Sequence, residues 1–429
     1  MAHTINLLQT TNPDGIHSLL TQFPSPKSIK GKITIKLGNA YLYSCVFPII
    51  AAWRKSLPDG VEVEMNDNSL EEAAKRLLQN VGIVDIVEQN TEAPALVYSK
   101  TGNVPLQPIV RGHSVESTVN KIYKMVDEWA GYLRDISAFR VILTELCENV
   151  LVHSGSTTPG YLHAKVHRSQ HGDKCEITIA DSGIGIRNSY LEGTNEEVKQ
   201  RLLKANASAV EIALDGLNSS KPREITPGGS SHFGYGLFTI KRLIELNRGH
   251  LTVVSGDEFV TVNRFKTEKK KLQTPWSGTI ISLLLDLANP LPLEDVYEEE
   301  VSKIIPEPQT PPQVGTVALV ETASVQPAPS KTSFPLLQFG TELLTREIGL
   351  AIRAELATTL LDANVIEVDL DGIVDIMPSV ADEVFGKLSL RLGVEKYRSR
   401  IIFRGGTPVL HRLIDFVVAQ RAKGENASS

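Results

Sequence analysis

The segment Cys175-Glu-Ile-Thr-Ile-Ala-Asp-Ser-Gly-Ile-Gly-Ile constrains this chain more than any other. Its first six residues alternate with the two-residue period of a strand. That strand runs directly into Asp181, followed by Gly183 and Gly185. A carboxylate at a strand end, with glycines that let backbone approach a ligand closely, places an acceptor deep in a pocket. There Asp181 can accept a hydrogen bond from the exocyclic amine of adenine. The plain alternative is a tight turn with an Asx cap.

Two further segments share that chemistry. In Phe139-Arg-Val-Ile-Leu-Thr-Glu-Leu-Cys-Glu-Asn-Val-Leu-Val-His-Ser, the apolar residues at Val141, Ile142, Leu146, Val150 and Leu151 suit an amphipathic helix. Glu145 and Asn149 stand four apart, hence on one face. An Asn oxygen is a hard ligand suited to Mg²⁺, and a neighbouring carboxylate can orient or deprotonate a nucleophile. Taken alone, such a pair is more often solvated surface. Pro227 to Glu245 is a glycine-rich loop feeding an amphipathic helix, with Gly234 and Gly236 at its mouth. Backbone N–H groups in such a loop, with a helix N-terminus behind them, hold phosphate oxygens.

The order of these motifs resembles the N, G1 and G2 boxes of the ATPase superfamily of Hsp90, histidine kinases and anti-sigma-factor kinases (the GHKL, or Bergerat-fold, ATPases). The strand Ser277-Gly-Thr-Ile-Ile-Ser-Leu-Leu-Leu resembles the last strand of that fold. The resemblance spans about Ile136 to Leu285 and implies a role for each matching residue. Asn149 would ligate Mg²⁺, and Glu145 would be the catalytic or water-positioning carboxylate. Asp181 and Thr279 would hold adenine, with Gly183 and Gly185 letting the chain pass close to the nucleotide. Gly234, Tyr235, Gly236 and Leu237 would line the phosphates, beneath a lid over about Arg187 to Phe233 with a helix from Glu196 to Leu217. The implied cofactors are ATP and Mg²⁺.

The branch within the superfamily is narrower. A sensor histidine kinase needs a phosphoacceptor histidine on a dimerising helix, and the helix before the N box offers only His113, at its start. Glu145-x-x-x-Asn149-x-x-x-His153 is instead similar to the anti-sigma-factor serine kinases, with His153 a structural neighbour of the site. His163, His167 and His171 carry no metal: Gly160 to His167 reads as a strand, in which residues four apart lie about 13 Å from one another. The basic run from Lys266 to Lys271 reads as a solvated connection between two strands.

Around this core the chain divides. Ile305-Pro-Glu-Pro-Gln-Thr-Pro-Pro and Gln326-Pro-Ala-Pro-Ser-Lys read as an extended linker. Beyond it, a helix from Glu342, a strand Val365 to Leu370, an apolar helix from Ile376 and a strand from Ser399 are similar to STAS-like domains, the fold of anti-sigma-factor antagonists. In those antagonists a serine at the start of the helix after the acidic strand is phosphorylated, and Ser379 occupies the comparable place; its other role is a helix N-cap. Ahead of the core, strand–helix–strand–helix over Gly31 to Val87 also resembles a degraded STAS-like unit, and Gln89 to Gly112 reads as a loop.

The expected fold class is therefore α/β multidomain. A central Bergerat-type α/β sandwich, with helices on one face of a mixed sheet, is flanked by small STAS-like α/β domains. Expected boundaries are 1–110, 111–298, a linker 299–333, and 334–424. A net charge of −6 gives no support for nonspecific nucleic-acid or membrane-surface binding. Three widely spaced cysteines, no secretory signal and no membrane-length apolar run point to a cytoplasmic protein. The STAS-like domains imply a protein partner, and a homodimer is compatible with the sequence. Three readings follow: an ATP-dependent regulatory protein in signal transduction, a serine protein kinase of partner-switching type, and a chaperone-like conformational ATPase.

Overall fold

The computed structural model describes residues 3–7, 15–37, 45–66, 68, 70–93, 102–111, 115–130, 133, 135–168, 170, 172–204, 206–215, 236–304 and 331–426. Gly234, Tyr235, His113, His171, residues 216–233 of the expected lid and 305–330 of the linker lie outside them. The chain divides into two compact units, 1–292 and 293–429.

The first unit opens with β1 (His3–Leu7), α1 (Gly15–Leu20), β2 (Lys32–Leu37), α2 (Val46–Lys55), β3 (Glu62–Asn66), α3 (Glu72–Val81) and α4 (Ile83–Val87). β1, β2 and β3 pair in parallel in that order. There follow β4 (Gln107–Ile109), α5 (Val115–Ala130), α6 (Ile136–His153), β5 (Gly160–His167), β6 (Lys174–Ala180), α7 (Gly185–Glu192), α8 (Glu196–Leu202), α9 (Ala209–Leu214), α10 (Gly236–Asn247), β7 (His250–Asn263) and β8 (Thr267–Asp286). Five of these strands form one sheet in the order β4-β5-β6-β8-β7.

Two features of that sheet correct the sequence reading. Every pairing in it is antiparallel, so it is not mixed. Nor are helices confined to one face. Leu162, Ile177, Ile179, Leu283 and Val253 alternate with Tyr161, His163, Thr178, Ala180 and Val254, and both sets are buried. The second set joins the N-terminal elements in one core, with α2 lying against β5 and β6. The sequence hid this because the covered face is half polar. Part of that polarity is met across strands: the Thr178 and Ser282 hydroxyls bond at 2.8 Å. His163 lies edge-on to Phe47 with centroids 5.3 Å apart, and burial pushes its pKa down to about 3. The Cys45 N–H donates to Glu176 Oε1 at 3.1 Å, tying the start of α2 to β6. α2 is buried from Val46 to Arg54, as a helix apolar on all sides must be.

Three local readings also change. The stretch Gln89 to Gly112 is not all loop, since β4 within it forms the sheet edge beside β5. The basic run is strand, not connection. Asn263 makes the turn, its side-chain oxygen accepting the Phe265 and Lys266 N–H groups at 2.9 and 3.1 Å, and Lys269, Lys270 and Lys271 then pair with Val260, Phe259 and Glu258. The expected lid helix Glu196–Leu217 is two helices, α8 and α9. Ser208 caps the second by accepting the Glu211 N–H at 3.1 Å.

The second unit comprises α11 (Leu293–Ile304), β9 (Lys331–Pro335), β10 (Glu342–Leu343), α12 (Arg346–Asp362), β11 (Val365–Asp369), β12 (Asp375–Ile376), α13 (Pro378–Ala381), a π-helical turn at Asp382–Gly386, α14 (Lys387–Leu392), α15 (Val394–Arg400), β13 (Ile401–Arg404) and α16 (Pro408–Asn426). β9, β11 and β13 form a parallel sheet with β11 at its centre. α11 packs on α16, with Tyr297 against Phe416. Arg421 meets the Asp382 carboxylate with two bonds of 2.9 and 2.8 Å, both residues buried. Glu342 lies in a strand, and the following helix begins at Arg346 under a Thr345 cap. Ser379 is not an N-cap. Pro378, with no N–H to satisfy, occupies the first turn of α13, Met377 takes the cap position, and the Ser379 hydroxyl is buried without a hydrogen-bond partner among the described residues.

Candidate functional site

α6 is the spine of the site. Its buried stripe, including Phe139, Ile142, Leu143, Leu146 and Val150, seats it within the core. That fixes Glu145 and Asn149 on the side facing the start of α10. Leu146, Asn149, Val150 and His153 line a cleft of about 710 Å³, counting the solvent at its mouth, a size suited to a nucleotide. The Asn149 amide nitrogen is buried and has no hydrogen-bond partner among the described residues. The amide oxygen is the end suited to a cation, and the NH₂ the end suited to a phosphate oxygen. Glu145 stands where α6 meets α10: a Cβ on Gly236 would fall 2.2 Å from its Oε2.

The floor comes from β6 and β8. Asp181 is 4% exposed, and burial raises its pKa to about 7, against the opposing effect of N–H groups from Gly183 and Thr279. The Gly183 N–H reaches Asp181 Oδ1 at 2.7 Å. Its main chain is held equally firmly. The Asp181 N–H donates to the Thr279 carbonyl at 2.9 Å, and the Trp276 indole donates to the Asp181 carbonyl at 3.0 Å. Ile179 and Ile281 supply apolar walls beside the carboxylate. The result is one carboxylate at the base of a largely apolar slot.

The glycines divide by role. Gly185 lines the cleft with φ +76, a conformation that costs a residue with a side chain dearly. Gly183 does not line it. Its Cβ would lie 2.1 Å from the Ser154 carbonyl oxygen, so the requirement comes from the end of α6 pressing on this loop rather than from ligand. Gly236 and Leu237, the first residues of α10, line the cleft, as does Thr279.

A lid was expected from about Arg187 onward, but sequence reasoning did not name the residues that roof the cleft. α7 supplies Ile186, Ser189 and Tyr190, and α9 supplies Ala213. Ile186 and Tyr190 are four apart, a helical spacing legible immediately after the Gly-x-Gly turn. The Ile186 N–H donates to Ser255 Oγ at 2.8 Å, and that hydroxyl donates to the Gly278 carbonyl at 3.0 Å, so α7 is pinned to both β7 and β8. Among the described lining residues there is no lysine or arginine.

In comparison with known proteins, residues 134–289 match the family described as Histidine kinase-, DNA gyrase B-, and HSP90-like ATPase. No curated protein matches the chain. No helix among the described residues is long and apolar enough to cross a membrane. The cleft of α6, β6, β8 and α10 lies within the matched residues, which form an ATP-binding domain of the histidine kinase-, DNA gyrase B- and HSP90-like type.

Proposed function

We propose that the chain is a Mg²⁺-ATP-binding regulatory protein whose nucleotide state governs its engagement with a protein partner through the flanking STAS-like units. The observation carrying this reading is Asp181, a buried carboxylate at the floor of an apolar slot where an adenine amine completes its hydrogen bonding. Asn149, which lines the cleft, would ligate through its side-chain oxygen a Mg²⁺ ion brought with the triphosphate. With no lysine or arginine among the described lining residues, that ion and the N–H groups opening α10 would carry the phosphate charge. The parallel three-stranded sheets at both ends of the chain support the STAS-like reading. The N-terminal one shares a core with the ATP-binding sheet, so movement there strains the nucleotide domain directly.

A second reading, in which ATP is turned over, draws on Glu145. Its carboxylate sits against Gly236, at the phosphate end of the cleft, where it can orient a water or a serine hydroxyl. Incubating the full chain with γ-labelled ATP and Mg²⁺ separates the outcomes. Label on the chain, with Ser379 the first residue to map, or on a copurifying partner supports the serine kinase. Released phosphate alone supports an ATPase cycle, and tight binding with neither supports regulation by occupancy.

Asn149→Ala is expected to weaken ATP binding about tenfold in Mg²⁺ and to have little effect in chelator, the loss of one hard ligand and its hydrogen bonds. Calorimetric titration under both conditions checks this. Equal affinities for the variant and the parent in Mg²⁺ would remove Asn149 from the site.

A further inference from the structure

Glu258 lies outside the cleft and is 6% exposed. It stands on the outer half of the β7–β8 hairpin, just past a bulge where the pairing shifts register between Ser255 and Glu258 and Gly256 takes φ +62. A bulge re-aims the strand that carries it. Beyond it, neighbouring side chains again point to opposite faces. Phe259 turns into the core shared with the N-terminal elements, edge-on to His17 just inside α1 with centroids 5.2 Å apart. Glu258 faces the other way, toward α9.

There its carboxylate gathers three donors and one cation. Oε2 accepts the Ser208 hydroxyl, and the Val210 N–H at 3.3 Å. Oε1 accepts the Ala209 N–H at 3.0 Å and lies 3.8 Å from the Arg187 guanidinium. Ala209 and Val210 open α9, and such N–H groups have no partner within their own helix. Arg187, on α7, also donates to the Ala207 carbonyl at 2.8 Å. One buried carboxylate thus joins the hairpin, α9 and α7. The last two carry Ala213, Ile186, Ser189 and Tyr190 over the cleft.

We infer that Glu258 is the positioning residue of the roof over the nucleotide: it clamps α9 and α7 down, while the N-terminal elements brace the hairpin from its other face. This rests on the reading of the cleft as the ATP site. The clamp's three bonds to α9 are buried and its Arg187 arm reaches solvent; the nearby tie between Lys269 and Glu211, at 2.8 Å, lies on the surface, where solvent screens it. Loosening the buried clamp opens the roof and releases nucleotide faster, whereas cutting the surface tie does neither.

The test uses the full chain and two readouts. One is the release rate of a fluorescent ATP analogue by stopped flow; the other is amide hydrogen exchange across α9 without ligand. Glu258→Gln keeps the side chain's size but loses its charge and turns an NH₂ toward backbone donors. It is expected to speed analogue release about tenfold with association nearly unchanged, and to speed α9 exchange about tenfold. Lys269→Ala is expected to leave both rates within about twofold of the parent. Parental rates in a folded Glu258→Gln protein overturn the inference. If that variant does not fold, Glu258→Asp, which keeps the charge but retracts it from α9, decides on the same two rates. If the parent binds no ATP analogue, the ATP reading fails instead, and α9 exchange alone decides whether the clamp exists.

Discussion

Asp181→Asn is expected to weaken ATP binding roughly 100-fold, near 3 kcal/mol, the range of a buried charge-assisted hydrogen bond. GTP carries a carbonyl where adenine carries the amine, so at pH 8, where the carboxylate is ionised, the parent should reject it, acceptor facing acceptor, and the variant should lose that preference. The ligand-free proteins should differ in the opposite sense. Asp181 has a folded pKa of about 7, above the unfolded value of about 3.9. The folded chain therefore holds this proton more tightly than the unfolded one. That contribution is complete below the unfolded pKa and is lost as pH rises through about 7. Asparagine does not titrate. The melting temperature of Asp181→Asn relative to the parent should thus climb from pH 5 to pH 8, while its ATP binding remains poor. A relative melting temperature independent of pH would show that the carboxylate is not buried as described. Parental ATP affinity in the variant would remove it from the adenine site.

Gly183→Ala should destabilise the first unit by about 3 kcal/mol or more, because the added carbon overlaps backbone that has nowhere to go. The Cβ would lie 2.1 Å from the Ser154 carbonyl oxygen and 2.7 Å from its carbon. That carbonyl is already engaged, accepting the Ile184 N–H at 2.7 Å, so relief would open the junction of α6 with the floor loop. At 2–4 °C per kcal/mol, the melting temperature should fall by on the order of 10 °C. Gly236→Ala provides the contrast. Its Cβ meets the tip of the Glu145 side chain at 2.2 Å, and a side chain can turn away. That variant should fold, and any ATP turnover that depends on Glu145 should change. A fall of only about 2 °C for Gly183→Ala would show that the loop has slack.

What the sequence revealed and what it hid follow from the range over which each signal acts. Glu145, Asn149, Asp181, Gly185, Gly236, Leu237 and Thr279 were legible because their motifs are local: a helix face, a strand end, a helix start. The structure brings all of these except Glu145 to the lining of one cleft, with Glu145 beside it against Gly236. Gly183 was legible as a required glycine, but its reason was not, since Ser154 lies far back in the chain. The break between α8 and α9 depends on Ser208 capping its own helix and on its hold by Glu258, fifty residues on. No window of local propensity contains both. The second covered face of the sheet escaped for a similar reason. Thr178, Ser282 and His163 are polar, and nothing local in their strands announces that α2 covers β5 and β6 on that face. Ser379 read as a cap because serine favours that position, whereas the preceding proline opens the helix and moves its cap two residues back, to Met377.

The shared core of the first unit has a practical and an evolutionary side. The matched residues alone, 134–289, are not a portable cassette. Cut free at residue 134, they would lose the edge strand β4 and α5. They would also bare Tyr161, Ala180, Val254, Phe259, Trp276 and Ile280, an apolar surface built to be covered. Such a fragment would be expected to aggregate rather than bind ATP. For the same reason, a change of front end that kept this nucleotide domain would need matching changes across that apolar face.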